Sequence, residues 1–573
     1  MSVKIQKEIV YSFPQKFRET EIEKLQNELS LSRPIIQILL SRGYETVERI
    51  QSFLCPSLAN LLDPFIFCDM DKAADRIIKA IKEKEPILVY GDYDVDGISS
   101  IVLVLRNLRS LGGEVSYYVP NRLIEGYGIS ENAIRTISER GFKLVITVDC
   151  GINSESEIRL AKELGMDVIV TDHHIVKEKL RSAYAVLNPK AKNEKYPFKD
   201  LAGVGVSFKL LSGIFKKMKR DDEIFDDLDL VALGTIADVV SMTGENRILA
   251  GRGIEVLNHT NKVGILALLE KSGSKKEHIG TYEIGYVLGP RLNASGRLDT
   301  AHTSIELLLT NDRSKAWEYA TILDQKNRMR QGLCEKVRKE SIEIIEKENY
   351  DKVAGGIVLA KEDWHEGVVG ITASKIAQMY SRPTILISTA GEFGKGSGRS
   401  VNSFSLLDAL DSCKEYLLRY GGHRYAAGLT IDKERIVEFR EAFNKVVRER
   451  LNDENLKRKI TSEAELSFIE IDKTLLSELK QFEPFGTDNP EPIFVTANVD
   501  FVGYPKIVGN GHLKLKVRSN GVIIDAIAFG KGDEVGEIII GKEIYNIYYY
   551  LRENNYGRRK TVQLILQHIE KNA

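Results

Sequence analysis

Paired cysteines, long apolar runs and a surplus of charge of either sign are all missing from this chain, and each absence excludes something. The five cysteines (Cys55, Cys68, Cys150, Cys334, Cys413) are scattered, with no CxxC pair. Neither a disulfide framework nor a cysteine zinc site is expected; they read as small, partly buried residues in a reducing compartment. No apolar run approaches the ~18 residues of a membrane span. The opening residues, Met1-Ser2-Val3-Lys4-Ile5-Gln6-Lys7, carry no apolar block behind their charges, so they do not read as a secretory signal. A cytoplasmic protein without membrane contact is expected. Formal net charge is −1, so a global positive field is absent. This counts only mildly against a nucleic-acid partner, because acidic catalytic residues lower the total and local basic patches decide phosphate binding. There is no repeat of fixed period and no long low-complexity stretch.

What is present is a globular composition of 573 residues, 43% hydrophobic and 28% charged. That length suggests roughly three to four domains. The pattern divides into an N-terminal helical segment (1–75), an α/β segment (76–312), a long charged helix without proline (313–347), a smaller α/β unit (348–455) and a strand-rich end (456–573). In the first α/β segment the apolar runs Ile87–Tyr90, Val115–Val119, Leu144–Val148 and Val168–Val170 alternate with helical stretches. This predicts a mostly parallel sheet covered on both faces. In the second, Val353–Ala360, Val368–Tyr380 and Thr384–Ser388 read as strand, helix and strand. The final stretch has short strands between Gly, Asn and charged turns, which predicts a small β-barrel.

Carboxylates and imidazoles stand where the parallel strands end. Asp92, Asp94 and Asp96 follow the first apolar run, Asp149 a later one, and Asp172-His173-His174 a third. Open parallel sheets gather their ligands at that edge. Asp92 taken alone reads as a helix cap or turn former. Asp238 is expected inside an apolar helix, Val231 to Val240, where a bare charge needs a partner. Asp94, Asp96, Asp149, His173 and Asp238 together read as a site for two Mn²⁺ or Mg²⁺ ions, since hard oxygens with one imidazole suit those cations. Two such ions ~3.5–4 Å apart can activate water and neutralise a phosphoryl group.

GDYDVDG (91–97), TVDC (147–150), TDHH (171–174) and GTIADVV (234–240) resemble the motifs of the DHH phosphoesterase superfamily. PNRLIEGYG (120–128), LAGVGVSFKL (201–210), GPRLNASGRLD (289–299), WHEGVVGITASKIA (364–377), GSGRS (396–400), GGHRYAAGLT (421–430) and EPFGTDNPEPIF (483–494) resemble, in order, the RecJ family of bacterial single-strand-specific exonucleases.

The resemblance implies a DHH catalytic domain, a DHHA1 domain and a C-terminal domain of the oligonucleotide-binding (OB) type. It implies that Asp149 bridges two metals, with Asp94, Asp96, His173 and Asp238 completing their shells. His174 would contact the scissile phosphate or assist proton transfer, and Asp172 would orient a histidine. Some superfamily members carry a histidine where this chain has Tyr90, which would leave one metal with fewer protein ligands. Arg122, Ser397, Gly398 and Arg399 would hold a 5′-terminal phosphate. His423 and the Trp364-His365 pair would face the cleft, and Asn293 and Arg297 would lie within it. Tyr504, Lys506, Lys514, Lys516 and Arg518 would line the groove of the barrel. The implied activity is a 5′→3′ exonuclease releasing 5′-mononucleotides from single-stranded DNA in repair and recombination. It would act as a monomer, with a helicase and a single-strand-binding protein as partners. A phosphodiesterase of short oligonucleotides or cyclic dinucleotides is the competing enzyme, and an inactive DNA-binding scaffold the competing non-enzyme.

Overall fold

The computed structural model describes residues 9–122, 125–126, 128–177, 179–274, 279–348, 355–401, 404–451, 458–509, 511–532, 536, 543–554 and 561–572. They form two compact units, Leu61–Arg458 and the pair of segments Ile9–Asn60 and Lys459–Ala573.

The first unit is built on a five-stranded sheet in the order Val115–Tyr118, Ile87–Gly91, Leu144–Val148, Asp167–Thr171, Ala185–Leu187, every pair parallel. Ile87–Gly91 and Leu144–Val148 are buried along their whole length. This is why both read as unbroken apolar runs rather than as alternating patterns. The chain order along the sheet is 2-1-3-4-5 when its own strands are counted from Ile87. Its switch point therefore lies between Ile87–Gly91 and Leu144–Val148, where such sheets open a crevice. Among the described residues, seven further α-helices follow between Gly203 and Lys347. The last, Arg313–Lys347, has 35 residues, roughly 50 Å of helix by its rise. Asp312 caps it by accepting from the amides of Ser314 at 2.8 Å and Lys315 at 3.3 Å.

Beyond this helix lies a second sheet, ordered Arg419–Gly422, Ala426–Ile431, Gly394–Arg399, Thr384–Ser388, Ile357–Lys361. Only its last pair is parallel. The sequence pattern reveals Thr384–Ser388 but not the hairpin strands, where glycine replaces the β-branched residues that mark a strand. Neighbours explain the glycines. A Cβ on Gly398 would lie 2.7 Å from Leu406 Cδ2, and one on Gly396 2.8 Å from Leu429 Cδ1.

The second unit is a closed five-stranded barrel: Phe494–Phe501, Tyr545–Asn554, Thr561–Lys571, Val522–Ala528 and His512–Ser519, with the last pairing back to the first. The helices Glu19–Leu29, Arg33–Ser41 and Val47–Leu54 share its core. Ile35, Leu39 and Phe53 are buried in one cluster with Phe482, Phe501 and Tyr549. The N-terminal stretch 1–75 is therefore not a unit of its own, a pairing that no local pattern announces. Polar contacts fix the helices. The Glu478 carboxylate accepts the Ser32 amide at 3.2 Å and the Ser32 hydroxyl. Arg42 donates to both Glu463 oxygens at 2.7 and 2.9 Å and to Asn489 Oδ1 at 2.6 Å.

Glu478→Ala leaves a half-buried amide at a helix start without its acceptor. The variant is expected to lower the stability of this unit by about 1–3 kcal/mol, read in a denaturant titration.

Candidate active site

The acidic residues converge because each is delivered by the end of an element. Asp94 caps the Val95–Ser110 helix, its Oδ1 accepting from the amides of Asp96 at 3.0 Å and Gly97 at 3.1 Å. Asp96 accepts from Val204 N and Gly203 N, both at 2.7 Å. Those amides open the helix Gly203–Lys217, whose N-terminal partial charge favours a carboxylate. Gly203 allows the approach: a Cβ there would lie 2.4 Å from Asp149 Oδ1. Asp149 follows its strand at φ 58°, a left-handed conformation uncommon outside glycine and concentrated at functional positions. Asp238 stands at the C-cap of the helix Leu228–Ala237, not inside it. The helix ends before the charge, and the carboxylate is half-buried.

His173 Nε2 lies 3.2 Å from Asp149 Oδ1, 3.6 Å from Asp238 Oδ2 and 4.0 Å from Asp96 Oδ2. Ligand atoms fall into overlapping groups within 4.8 Å: Asp96, His173 and Asp238; Asp92, Asp94 and Asp149; and Asp149, His173 and His174. Among the described residues, Asp92 Oδ1, Asp149 Oδ1 and His173 Nε2 are buried without a hydrogen-bond partner. Buried polar atoms are normally paired. This donor set fits hard divalent cations, and Asp149 belongs to two of the three groups.

The electrostatics agree. Burial, then the charges of neighbouring carboxylates, pushes Asp92, Asp149 and Asp238 well above the usual carboxylate range. Asp96 is pushed up to about 7 by burial and by Asp94. Burial and the adjacent His174 push His173 down to about 3, so its ring is neutral and able to ligate. His174 is different. Burial opposes its charge, but the Asp172 carboxylate at 2.7 Å from Nδ1 wins and holds its pKa above the ordinary value. Burial likewise opposes the Asp172 charge, yet bonds from His174 keep that carboxyl below its ordinary range. Asp172 also accepts the amides of His173 at 2.7 Å and Ile152 at 2.9 Å, and so fixes the turn that aims both rings.

A cavity of about 240 Å³ opens onto this cluster, lined by Asp92, Tyr93, Asp94, Arg122, His174, Asn293 and Arg297 among others. The Arg122 guanidinium also lines a neighbouring cavity of about 460 Å³ with Lys395, Ser397, Arg419 and Gly421. Burial and the charge of Arg122 push Arg297 down to about 10, and they lower Arg399 as well. Among the described residues, none of these three arginines has a carboxylate within ion-pair distance. Cations crowded without a counterion make an anion site. Arg399 Nη1 donates to Ser397 Oγ at 3.2 Å and to the Gly398 carbonyl at 2.8 Å. Asn293 Oδ1 accepts the Val95 amide at 3.2 Å. His423 faces the same region, its pKa lowered by burial and by the charges of His174, Lys177 and Lys190.

Several expectations need correction. Ser397–Arg399 lies within an antiparallel strand. Trp364 does not face the cleft; it is fully buried and donates from Nε1 to Glu340 at 2.8 Å. His365 caps the helix Glu366–Tyr380 by accepting the Gly367 amide at 3.0 Å. Asp92 is no cap, since Asp94 fills that role, and it is instead a candidate ligand. Tyr90 donates to the Gly128 carbonyl at 3.0 Å and belongs to no ligand group. In the barrel, Tyr504 is 91% exposed and Lys506 pairs across strands with Lys514. Lys516 stands opposite Asp525, while Arg518 is held by Asp500. The basic row is therefore weaker than the bare sequence suggests. Sequence reasoning passed over Lys190, whose charge acts on both Asp238 and His173.

Fold and cluster are those of the DHH class. The models described as DHH family, N-terminal domain, as DHHA1 domain and as RecJ OB domain match residues 86–235, 352–449 and 462–568. The chain belongs to the RecJ family. It is 38% identical over 552 residues to the single-stranded-DNA-specific exonuclease RecJ of Bacillus subtilis, covering 96% of this chain and 69% of that one. It is 34% identical over 555 residues to the Escherichia coli RecJ, covering 93% and 95%. The crystal structure of Thermus thermophilus RecJ in complex with Mn²⁺ superposes with a TM-score of 0.86 at 27% identity, covering 99% of this chain and 80% of that one.

The raised carboxyl pKa values set a pH dependence. A group with a folded pKa above its unfolded value costs stability as pH rises between the two. The metal-free protein is therefore expected to lose stability from about 3.8 to about 7, the interval for Asp96. Added Mn²⁺ should remove that slope in thermal melts at stepped pH. Asp92→Asn is expected to weaken the Mn²⁺-induced rise in melting temperature and to lower turnover by about 100-fold.

Proposed function

We propose that the chain is a metal-dependent 5′→3′ exonuclease that hydrolyses single-stranded DNA to 5′-mononucleotides in DNA repair and recombination. One observation carries the polarity: Arg122 lines both the cavity over the carboxylates and the adjoining cavity beside Ser397. A terminal phosphate seated on Arg122, Arg399 and Ser397, with Gly398 holding the strand between the last two, would put the first phosphodiester bond toward Asp92, Asp94 and Asp149. Arginine forks suit phosphate oxygens.

Asp94, Asp96, Asp149, His173 and Asp238, with Asp92, would hold the ions. When bound, two Mn²⁺ or Mg²⁺ ions supply the lowered water pKa and the positive charge that an in-line phosphoryl displacement needs. His174, braced by Asp172 at Nδ1, would donate from Nε2 to a phosphate oxygen or pass a proton from there to the departing oxygen. Arg297 and His423 contact the phosphates, and Asn293 anchors its helix against the amide of Val95. In the barrel, Tyr504 offers a stacking face while Lys506, Lys514, Lys516 and Arg518 follow the backbone.

This reading makes the protein a cytoplasmic monomer. An enzyme confined to single strands needs a helicase wherever its substrate is paired, and it meets single-strand-binding protein on every exposed strand. A complete carboxylate set argues against an inactive scaffold. A C-terminal oligonucleotide-binding domain argues against a phosphodiesterase of dinucleotides.

Strands labelled at one end or the other, degraded with Mn²⁺, test the polarity. Release from the 5′ end first is expected, and Asp149→Ala should abolish it without changing the fold. Arg399→Ala should cancel the preference for a 5′-phosphorylated over a 5′-hydroxyl strand. Degradation from the 3′ end alone would overturn the proposal.

A further inference from the structure

The helix carrying Asn293 and Arg297 begins with a feature that the phosphate chemistry does not use. Glu283–Leu288 is π-helical, a rare geometry found mostly at functional positions. The helix that follows, Gly289–Leu298, runs along the carboxylate cluster. At its start, a Cβ on Gly289 would lie 3.6 Å from Ala237 Cβ, next to Asp238. At its end, a Cβ on Gly296 would lie 2.6 Å from the Tyr93 carbonyl, beside Asp92. The terminal-phosphate pocket adjoins the Asp92 end. The π-helix lies at the Asp238 end, roughly 10 Å from Asn293 by helical rise.

Ile284 and Leu288 bury one face of this segment. On the other face, Tyr282 and Tyr286 are 63% and 74% exposed, with rings stacked at 5.1 Å and 26°. Val239, the neighbour of Asp238, is 69% exposed at φ 61°, an unusual conformation for a β-branched residue. The π-helix packs on the helix Leu228–Ala237 that Asp238 ends, and the exposed aromatic and apolar groups of these two elements have no role in holding cations or phosphate. They have the chemistry of a surface for flat, uncharged rings.

We propose that Tyr282 and Tyr286, flanked by Val239, form a stacking platform for the bases of the DNA strand where it approaches the cluster from the Asp238 side. The platform rests on the exonuclease reading and adds the grip on the strand that follows the scissile bond. Stacking on a tyrosine face accepts any base, so it holds the strand without reading sequence.

The test compares wild type with Tyr282→Ala, Tyr286→Ala, the double variant and Tyr286→Trp. Each acts with Mn²⁺ on a long 5′-phosphorylated strand and on a 5′-phosphorylated dinucleotide. Each ring removed should raise KM for the long strand by roughly 10-fold, with kcat and dinucleotide hydrolysis unchanged. Tyr286→Trp should keep wild-type KM. Fluorescence anisotropy of a labelled strand on the metal-free proteins should show the same order of affinities. An unchanged KM and affinity in the double variant, or an equal loss on the dinucleotide, would overturn the platform. Wild-type protein that binds the strand through these rings but hydrolyses neither substrate would overturn the exonuclease reading instead.

Discussion

Carboxylates crowded around one neutral imidazole repel one another, and the surrounding fold exists to hold them there. Asp96 survives burial because two helix-opening amides bond it. Asp94 is kept in place by the helix it caps. Asp149 is held in a left-handed turn, packed so closely on Gly203 that a side chain there would collide with it. None of these supports cancels the negative charge; they fix its position and leave the neutralisation to cations. The same constraint explains the parallel sheet. Strands buried on both faces have no place for a charge in their middle, so the aspartates and histidines of the site fall just past the carboxyl ends, beside the switch point of the strand order.

Much of this was legible in the sequence because it depends on local pattern. The buried strands are continuous apolar runs, and the acidic motifs follow them directly. The charged, proline-free stretch from Arg313 to Lys347 is one helix with those bounds. What escaped depends on contacts between distant residues. Asp92 and Asp94 are equivalent on paper; only the direction of the helix after them makes Asp94 the cap and frees Asp92 for the cluster. Gly396 and Gly398 look like a turn until Leu406 and Leu429 are packed over them. Arg518 looks free until Asp500 is placed across the strands. Trp364 sits in a motif-rich segment that suggests the cleft, yet its size and its bond to Glu340 place it in the core.

Anion and cation sites are kept distinct by their own counter-residues. Arg122, Arg297 and Arg399 crowd together without a carboxylate in ion-pair contact among the described residues, while Asp92 and Asp94 share a cavity with Arg122 and Arg297. Each group is incomplete until something of opposite charge arrives. His174 belongs to neither: paired with Asp172, it carries a proton amid the carboxylates and faces the same cavity as Arg122.

The shared core of the barrel and the N-terminal helices has a consequence for synthesis. Ile35, Ile36, Ile38, Leu39 and Leu40 leave the ribosome about 400 residues before their apolar partners in the barrel. The central unit, contiguous from Leu61 to Arg458, can fold while those helices wait. A nascent chain therefore displays an unsatisfied greasy face on Arg33–Ser41 until the barrel strands appear. Deleting those strands exposes the helices that precede the central unit as well.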